Sequence, residues 1–370
     1  MKSRRSERSE RVGEFRLRQG YGGQAEGRSP SGHIEPGRLL QLIDDLAGRR
    51  VAIVGDLIAD EFIYGEIARV SREAPVLILN YDSTEVVPGG AGNAANNVAS
   101  LGGAARLAGL AGRDDAGRRL VDTLKRRRVD GRYVFRPAKY VTPRKTRILA
   151  GGVHSAKQQV VRIDSGACSV DDGIRRAFHT HVLRALRGAD ALLLSDYGCG
   201  LVTPALIADA RRVLKKSGGP IVVDSRYNLL AYHGITACTP NESEVEHALG
   251  IRIGDNARAL ERAGRAVLHR TRAGAVLITR GSRGMALFEP DRPTQHIPIV
   301  GSDQIADVTG AGDTVIATLT LALSAGATFV EAAHLANHAG GLVVMKRGTA
   351  TVSASELRYS ISGGTIGRPA

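Results

Sequence analysis

An acid, two glycines and an apolar run stand together at Asp307-Val308-Thr309-Gly310-Ala311-Gly312-Asp313-Thr314, continuing into Val315-Ile316-Ala317-Thr318-Leu319. The Gly-Ala-Gly run can turn tightly and bare its main-chain N–H groups, and the Ala-rich continuation reads as a buried helix. Free amides and roughly half a positive charge at a helix N-terminus suit a phosphoryl group that is gathering negative charge. Gly310, Ala311 and Gly312 are therefore expected to form an anion hole. Asp313, just inside the helix, is placed to accept a proton from a hydroxyl attacking that phosphorus. An Asp at a helix start also serves as a plain cap, and the spacing alone leaves both readings open.

Such a site needs a scaffold that brings distant residues to one edge. Val51-Ala52-Ile53-Val54-Gly55-Asp56 reads as a buried strand. Ligands gather at the carboxyl ends of strands in open α/β sheets, so Asp56 is a candidate ligand contact as well as a turn residue. Pro88-Gly89-Gly90-Ala91-Gly92-Asn93 breaks the pattern before an Ala-rich helix at 94–101. Gly89 and Gly90 allow close backbone approach, and the Asn93 amide can both donate to and accept from sugar hydroxyls. A Gly-rich turn that merely caps a helix carries the same signature. A second strand is expected from Ala104, with a helix through Leu124 behind it.

From about residue 174 the alternation is regular. Helices near 174–186, 204–216 and 256–272 alternate with strands at 191–197, 220–224, a short one ending at Cys238, and 275–281, before hairpin-like strands at 285–299. Asp56, Asp196, Asp224, Asn241, Glu244 and Thr279 recur at strand ends, as a doubly wound, mostly parallel sheet with one ligand edge would place them. The acidic ends Asp56, Asp196 and Asp224 beside a phosphate site are a donor set for Mg²⁺. Residues 62–87 and 133–163 read as strands of a smaller sheet standing apart, and a lid that excludes water is the economical use for it.

Composition narrows the class. The chain has 370 residues with 43% apolar content, enough for a substantial core. No apolar run reaches the length of a membrane span, and no leader sequence is visible after Met1. Cys168, Cys199 and Cys238 are scattered and off metal-ligand spacing, so buried or incidental thiols in a reducing cytoplasm are expected. The net charge of +14 raises nucleic acid as a partner. However, Arg126-Arg127-Arg128 is the only tight internal triplet and no aromatic residues interleave with it, which argues against that reading.

Val54-Gly55-Asp56, Pro88 to Ala95, Thr239-Pro240-Asn241-Glu242-Ser243-Glu244 and Asp307 to Asp313 occur in the order found in the ribokinase-like (PfkB) sugar kinases, which this sequence resembles over about 40–360. With Tyr64-Gly65, Arg69 to Val76 and Leu194-Ser195-Asp196-Tyr197, it resembles, within that family, the kinases of D-glycero-β-D-manno-heptose 7-phosphate. The resemblance implies a ribokinase-like α/β fold with a small β-sheet lid. It also implies ATP-dependent phosphorylation of the anomeric hydroxyl to a 1,7-bisphosphate, on the way to ADP-heptose and lipopolysaccharide core.

By position, the resemblance makes Asp313 the base and Asp56, Gly89, Gly90 and Asn93 sugar contacts. Asn241 and Glu244 would organise Mg²⁺ and the ATP phosphates, Glu244 through water, with Asp224, Thr279, Gly281, Gly284 and Asn337 also at the nucleotide. A sugar that already carries a phosphate needs a cationic clamp, for which Arg69, Arg72, Lys145, Arg147 and Arg162 are candidates, solvated surface charge being the alternative. Gly198-Cys199 and Ser225-Arg226 stand where those heptose kinases carry lysines.

The expected organisation is an extension over 1–37, a kinase domain over 38–360 and a tail over 361–370, in a cytoplasmic homodimer joined through the lid. The alternatives are another sugar or sugar-phosphate kinase, of ribokinase or fructose 1-phosphate kinase type, and a catalytically silent sugar or nucleotide sensor.

Overall fold

The computed structural model describes residues 34–151, 157–166, 170–301, 307–346 and 348–363. Most of the expected extension, the end of the expected tail and Cys168 lie outside the described residues. Contacts set Glu35–Ala370 apart as one unit, and the fold is that of this unit.

Its first helix, α1 (Pro36–Asp45), starts with proline in the first turn, where the missing N–H costs nothing. β1 (Arg50–Gly55) follows, and its Val-Ala-Ile-Val run is buried throughout, as a central parallel strand requires. β2 (Leu57–Val70) and β3 (Leu77–Gly90) leave the main sheet, and α2 (Ala91–Ser100) and β4 (Ala104–Ala108) return to it. Next come α3 (Asp115–Arg126), β5 (Arg144–Gly151), β6 (Gln158–Ser165) and α4 (Asp172–Ala185). The alternating half runs β7 (Ala191–Asp196), α5 (Pro204–Leu214), β8 (Ile221–Ser225), β9 (Ala237–Cys238), α6 (Glu242–Leu249), α7 (Ala257–Thr271) and β10 (Ala275–Thr279). β11 (Met285–Phe288), β12 (Gln295–Ile297), α8 (Ala311–Ser324), α9 (Phe329–Val343) and α10 (Ala354–Ile361) complete it.

The main sheet has the order β12-β11-β10-β9-β8-β7-β1-β4, parallel from β4 to β10 and antiparallel at the β11–β12 edge. The second sheet has the order β3-β2-β5-β6, with β2 and β5 parallel. The doubly wound sheet and the separate small sheet are thus both present. Two boundaries and one thiol differ from the sequence reading. Residues 133–143 form no strand of their own, because Phe135 makes only an isolated bridge to Leu110. Pro88-Gly89-Gly90 is the end of β3 rather than a loop, and the helix begins at Ala91, so Asn93 lies within its first turn. Cys199 is disulfide-bonded rather than a free thiol, whereas Cys238 is free and buried.

Two of the small sheet's junctions with the main sheet are tight. A single residue, Asp56, separates β1 from β2, and no residue separates β3 from α2. At the second junction Gly90 takes φ +58°, and a Cβ there would lie 2.5 Å from the Asp56 carbonyl oxygen. The Ala91 amide donates to that same carbonyl at 3.0 Å, tying the junctions together.

Candidate active site

A cleft of about 520 Å³ runs between the C-terminal edge of the main sheet and the lid. The Gly310–Asp313 turn forms its floor. Gly310 takes the left-handed conformation at φ +81°, where a Cβ would press on the Asn93 amide at 2.5 Å. α8 starts at the next residue and is buried from Asp313 to Ala322, so its N-terminus is a fixed feature of the core. One of the three amides expected to form an anion hole is committed, because the Ala311 N–H donates to the Val308 carbonyl at 3.2 Å. The Gly312 and Asp313 amides have no carbonyl partner four residues back within the helix.

Asp313 is buried, and that burial pushes its carboxyl up to about 7 despite two hydrogen bonds that favour the ionised form. Asn93 Nδ2 donates to Oδ2 at 2.9 Å and the Tyr197 hydroxyl donates to Oδ1 at 3.2 Å. Behind Asn93, Asn97 Nδ2 donates to its carbonyl at 3.0 Å, and Thr314 Oγ1 donates to Asn97 Oδ1 at 3.0 Å. Asn93 is fully buried and does not line the cleft; it holds Asp313, where the sequence suggested a sugar contact.

Asp56 does not line the cleft either. Its Oδ2 accepts the backbone N–H groups of Tyr197 at 2.7 Å and Cys199 at 3.1 Å, and burial raises its carboxyl to about 7. Asp196 is turned inward too, where its Oδ2 accepts the Tyr232 hydroxyl at 2.6 Å and Ser225 Oγ at 2.7 Å. Of the three acidic strand ends, Asp224 alone lines the cleft. The acid that sequence reasoning missed is Asp60, four residues beyond Asp56 on β2, which reaches the cleft wall. Its signal was an aspartate amid the apolar start of a strand, a buried position that carboxylates seldom take without a partner. Here the partner is Arg147, whose Nη1 donates to Asp60 Oδ1 at 2.5 Å. Gly89 lies outside the cleft lining, opposite Ile58 on the paired strand, whereas Gly90 lines it.

Three of the five candidate cations come together on the lid wall. Lys145, Arg147 and Arg162 line the cleft, whereas Arg69 and Arg72 are exposed on the far part of the lid. Arg162 is paired with Asp164 at 2.6 Å, and Lys145 sits 5.4 Å from the centre of the Tyr197 ring. Burial lowers the Lys145 ammonium from its ordinary value. Arg226 enters the same space, 5.1 Å from that ring.

The expected nucleotide residues are also gathered, since Asp224, Asn241, Glu244, Thr279, Gly281, Gly284 and Asn337 all line the cleft. The Asn241–Glu244 spacing has a local cause, a capping box at the start of α6. Asn241 Oδ1 accepts the Glu244 amide and Glu244 Oε2 accepts the Asn241 amide, both at 2.9 Å. That fixes both side chains while leaving Asn241 Nδ2 and Glu244 Oε1 uncommitted in the cap. Burial and the neighbouring Glu244 push the Asp224 carboxyl well above the ordinary range, and burial raises Glu244 as well. Asn337 Nδ2 donates to the Pro298 carbonyl at 2.7 Å. The Thr239 and Thr349 hydroxyls are buried in the cleft lining without a hydrogen-bond partner among the described residues.

The family profile described as pfkB family carbohydrate kinase matches residues 49–356. The bifunctional protein HldE of Caulobacter vibrioides is 42% identical over 316 residues, which are 84% of this chain and 63% of that protein. The HldE of Geobacter metallireducens is 41% identical over 310 residues, 82% of this chain and 61% of that one. The chain therefore spans less than two thirds of the length of these relatives. Among solved structures, Arabidopsis thaliana ribokinase complexed with ribose and ATP superposes with a TM-score of 0.64 at 22% identity, covering 85% of this chain and 98% of that one. Escherichia coli phosphofructokinase-2 in complex with fructose-6-phosphate gives 0.68 at 19% identity, covering 85% and 99%. These two share the fold of the main sheet and its lid. Family profile, relatives and fold agree, and the chain belongs to the pfkB family of carbohydrate kinases.

Proposed function

We propose that this kinase uses ATP to phosphorylate the anomeric hydroxyl of D-glycero-β-D-manno-heptose 7-phosphate, giving the 1,7-bisphosphate for ADP-heptose and lipopolysaccharide core synthesis in the cytoplasm. The observation that carries the reading is one cleft with Asp313 on its floor and Lys145, Arg147 and Arg162 on its lid wall. Arg147 and Arg162 are paired with Asp60 and Asp164, while Lys145 has no salt bridge among the described residues, and an acceptor phosphate gives it a partner. The 38–360 kinase domain carries this step, and the likeness to the bifunctional HldE proteins supports the reading.

Asp313 takes the proton of the attacking hydroxyl as that oxygen bonds the γ-phosphorus and the bond to the ADP oxygen breaks. Gly310 and the Gly312 and Asp313 amides hold the migrating phosphoryl, and the lid cations hold the acceptor's own phosphate. Asp60 and Gly90 face the sugar, Asp56 and Gly89 back that wall, and Asn93 holds Asp313. Thr279, Gly281, Gly284 and Asn337 line the nucleotide end, next to the apolar Met285, Ile299 and Val344 that suit a base.

The donor chemistry fits Mg²⁺: Asp224 and Glu244 are two half-buried carboxylates in the cleft lining whose mutual repulsion a cation would relieve, with the unpartnered Thr239 hydroxyl in the same lining. When bound, Mg²⁺ offsets charge on the phosphates. Glu244 would hold it through water.

The test is ATP consumption with D-glycero-β-D-manno-heptose 7-phosphate against ribose, fructose and fructose phosphates, with phosphorus NMR of the product. Preferred turnover of the heptose phosphate to a 1,7-bisphosphate is expected. Preference for an unphosphorylated sugar overturns the lid clamp, and no turnover with any of them leaves a silent sensor.

A further inference from the structure

Asp313 is gripped from two separate elements. Asn93 of α2 donates to one carboxylate oxygen, and the Tyr197 hydroxyl, from the turn after β7, donates to the other at 3.2 Å. Tyr197 is itself fixed at several points. Its amide donates to the buried Asp56 carboxylate at 2.7 Å, and its ring packs over Gly90, where a Cβ would come within 3.4 Å of it. Lys145 of the lid and Arg226 beyond β8 lie 5.4 and 5.1 Å from the ring centre. Phenylalanine would fill that space and attract both cations through its ring face. The hydroxyl is the part that packing does not explain.

We propose that Tyr197 is a positioning residue for Asp313: its hydroxyl fixes the plane of the carboxylate toward the cleft, and the Asp56 anchor beneath it holds that hydroxyl in place. The proposal rests on Asp313 being the general base. A carboxylate with a donor on each oxygen is held against rotation about its Cβ–Cγ bond, so an incoming hydroxyl meets an oriented acceptor. The lid takes part through Lys145, which touches the Tyr197 ring and therefore connects phosphate capture to the base.

The Tyr197 hydroxyl and the Asn93 amide favour the ionised carboxylate, against its burial. Of the charged groups around it, Asp60 of β2 opposes ionisation and Lys145 of β5 favours it, and Asp224 and Arg226 lie in the same cleft. Removing one donor therefore raises the pH at which the base becomes active.

The experiment compares wild type, Tyr197→Phe, Asp313→Asn and a protein with Tyr197 replaced by 2,3-difluorotyrosine. It reads kcat and KM against pH with ATP and the preferred acceptor. It also reads ¹³C NMR titration of aspartate-labelled protein, the Asp313 signal being the one missing from Asp313→Asn. For Tyr197→Phe we expect kcat to fall about tenfold with KM for ATP unchanged, and both the acid limb and the Asp313 titration to move up by about one pH unit. The fluorinated ring keeps shape and donor but donates more strongly, so it moves both down. This variant keeps the test sound should Tyr197→Phe fold poorly. An Asp313 titration that stays put in the folded variants, or a loss of kcat with an unmoved acid limb, overturns the proposal. Asp313→Asn with near-wild-type turnover overturns the general-base reading itself, a result the NMR titration keeps distinct.

Discussion

A carboxyl that burial holds at about 7 changes protonation within the ordinary working range of an enzyme, and Asp313 is such a group. As a base it works only when ionised, so kcat should climb with pH through about 7 and level off above. Asp313→Asn should lose about 10²–10⁴ in kcat and show no such limb, as measured by initial rates under saturating substrates. The same burial has a stability consequence. Asp56 and Asp313 sit at about 7 in the folded chain, against about 3.9 when unfolded, so the folded state holds protons that the unfolded chain has released. Stability therefore falls as pH rises from about 4 to 7 and stays reduced above. Asp313→Asn, which cannot ionise, should melt several degrees above wild type at pH 8, with the gap narrowing at pH 5. Calorimetry at the two pH values reads this directly.

Among the elements, α6 separates a cap from a ligand. Asn241→Ser keeps an oxygen for the Glu244 amide, whereas Asn241→Ala loses it at a cost of about 1 kcal/mol. If Asn241 also meets the nucleotide, the serine variant should melt like wild type yet show a raised KM for ATP. On the lid, Lys145→Ala should raise KM for the sugar phosphate tenfold or more and spare KM for ATP, since no salt bridge of Lys145 is broken among the described residues. Arg147→Ala should instead destabilise the fold by about 3–5 kcal/mol, because it strands the buried Asp60 carboxylate. Legibility from sequence followed the same division. The strands, the alternating helices and the Gly310–Asp313 turn were readable because periodicity and glycine spacing are local properties. Which aspartate faces the cleft was not: Asp56 and Asp60 differ only in which way β2 turns after Gly55, and the Tyr197 and Cys199 amides that claim Asp56 lie about 140 residues away. The roles of Asn93 and Tyr197 were hidden for the same reason.

At the level of the whole molecule, the lid leaves apolar side chains in water, with Tyr81, Val161 and Ile163 all exposed. A second copy covering this sheet would remove that surface and shield its edge strands. Tyr81→Lys with Ile163→Lys should convert a dimer to a monomer in sedimentation velocity. A wild-type protein that sediments as a monomer refutes the lid dimer. Among the described residues no helix is long and apolar enough to cross a membrane. The lid's attachment carries a mechanical consequence. With one residue between β1 and β2, none between β3 and α2, and the Ala91 amide locked to the Asp56 carbonyl, β2 and β3 have no slack where they join the main sheet. A swing of β2 and β3 therefore has to pivot at Asp56 and Gly90, and α2, which carries Asn93, follows directly from that pivot. In hydrogen exchange the amides of 86–91 should therefore open together with those of the main sheet, while the lid's outer reach near 70–80 exchanges by local opening.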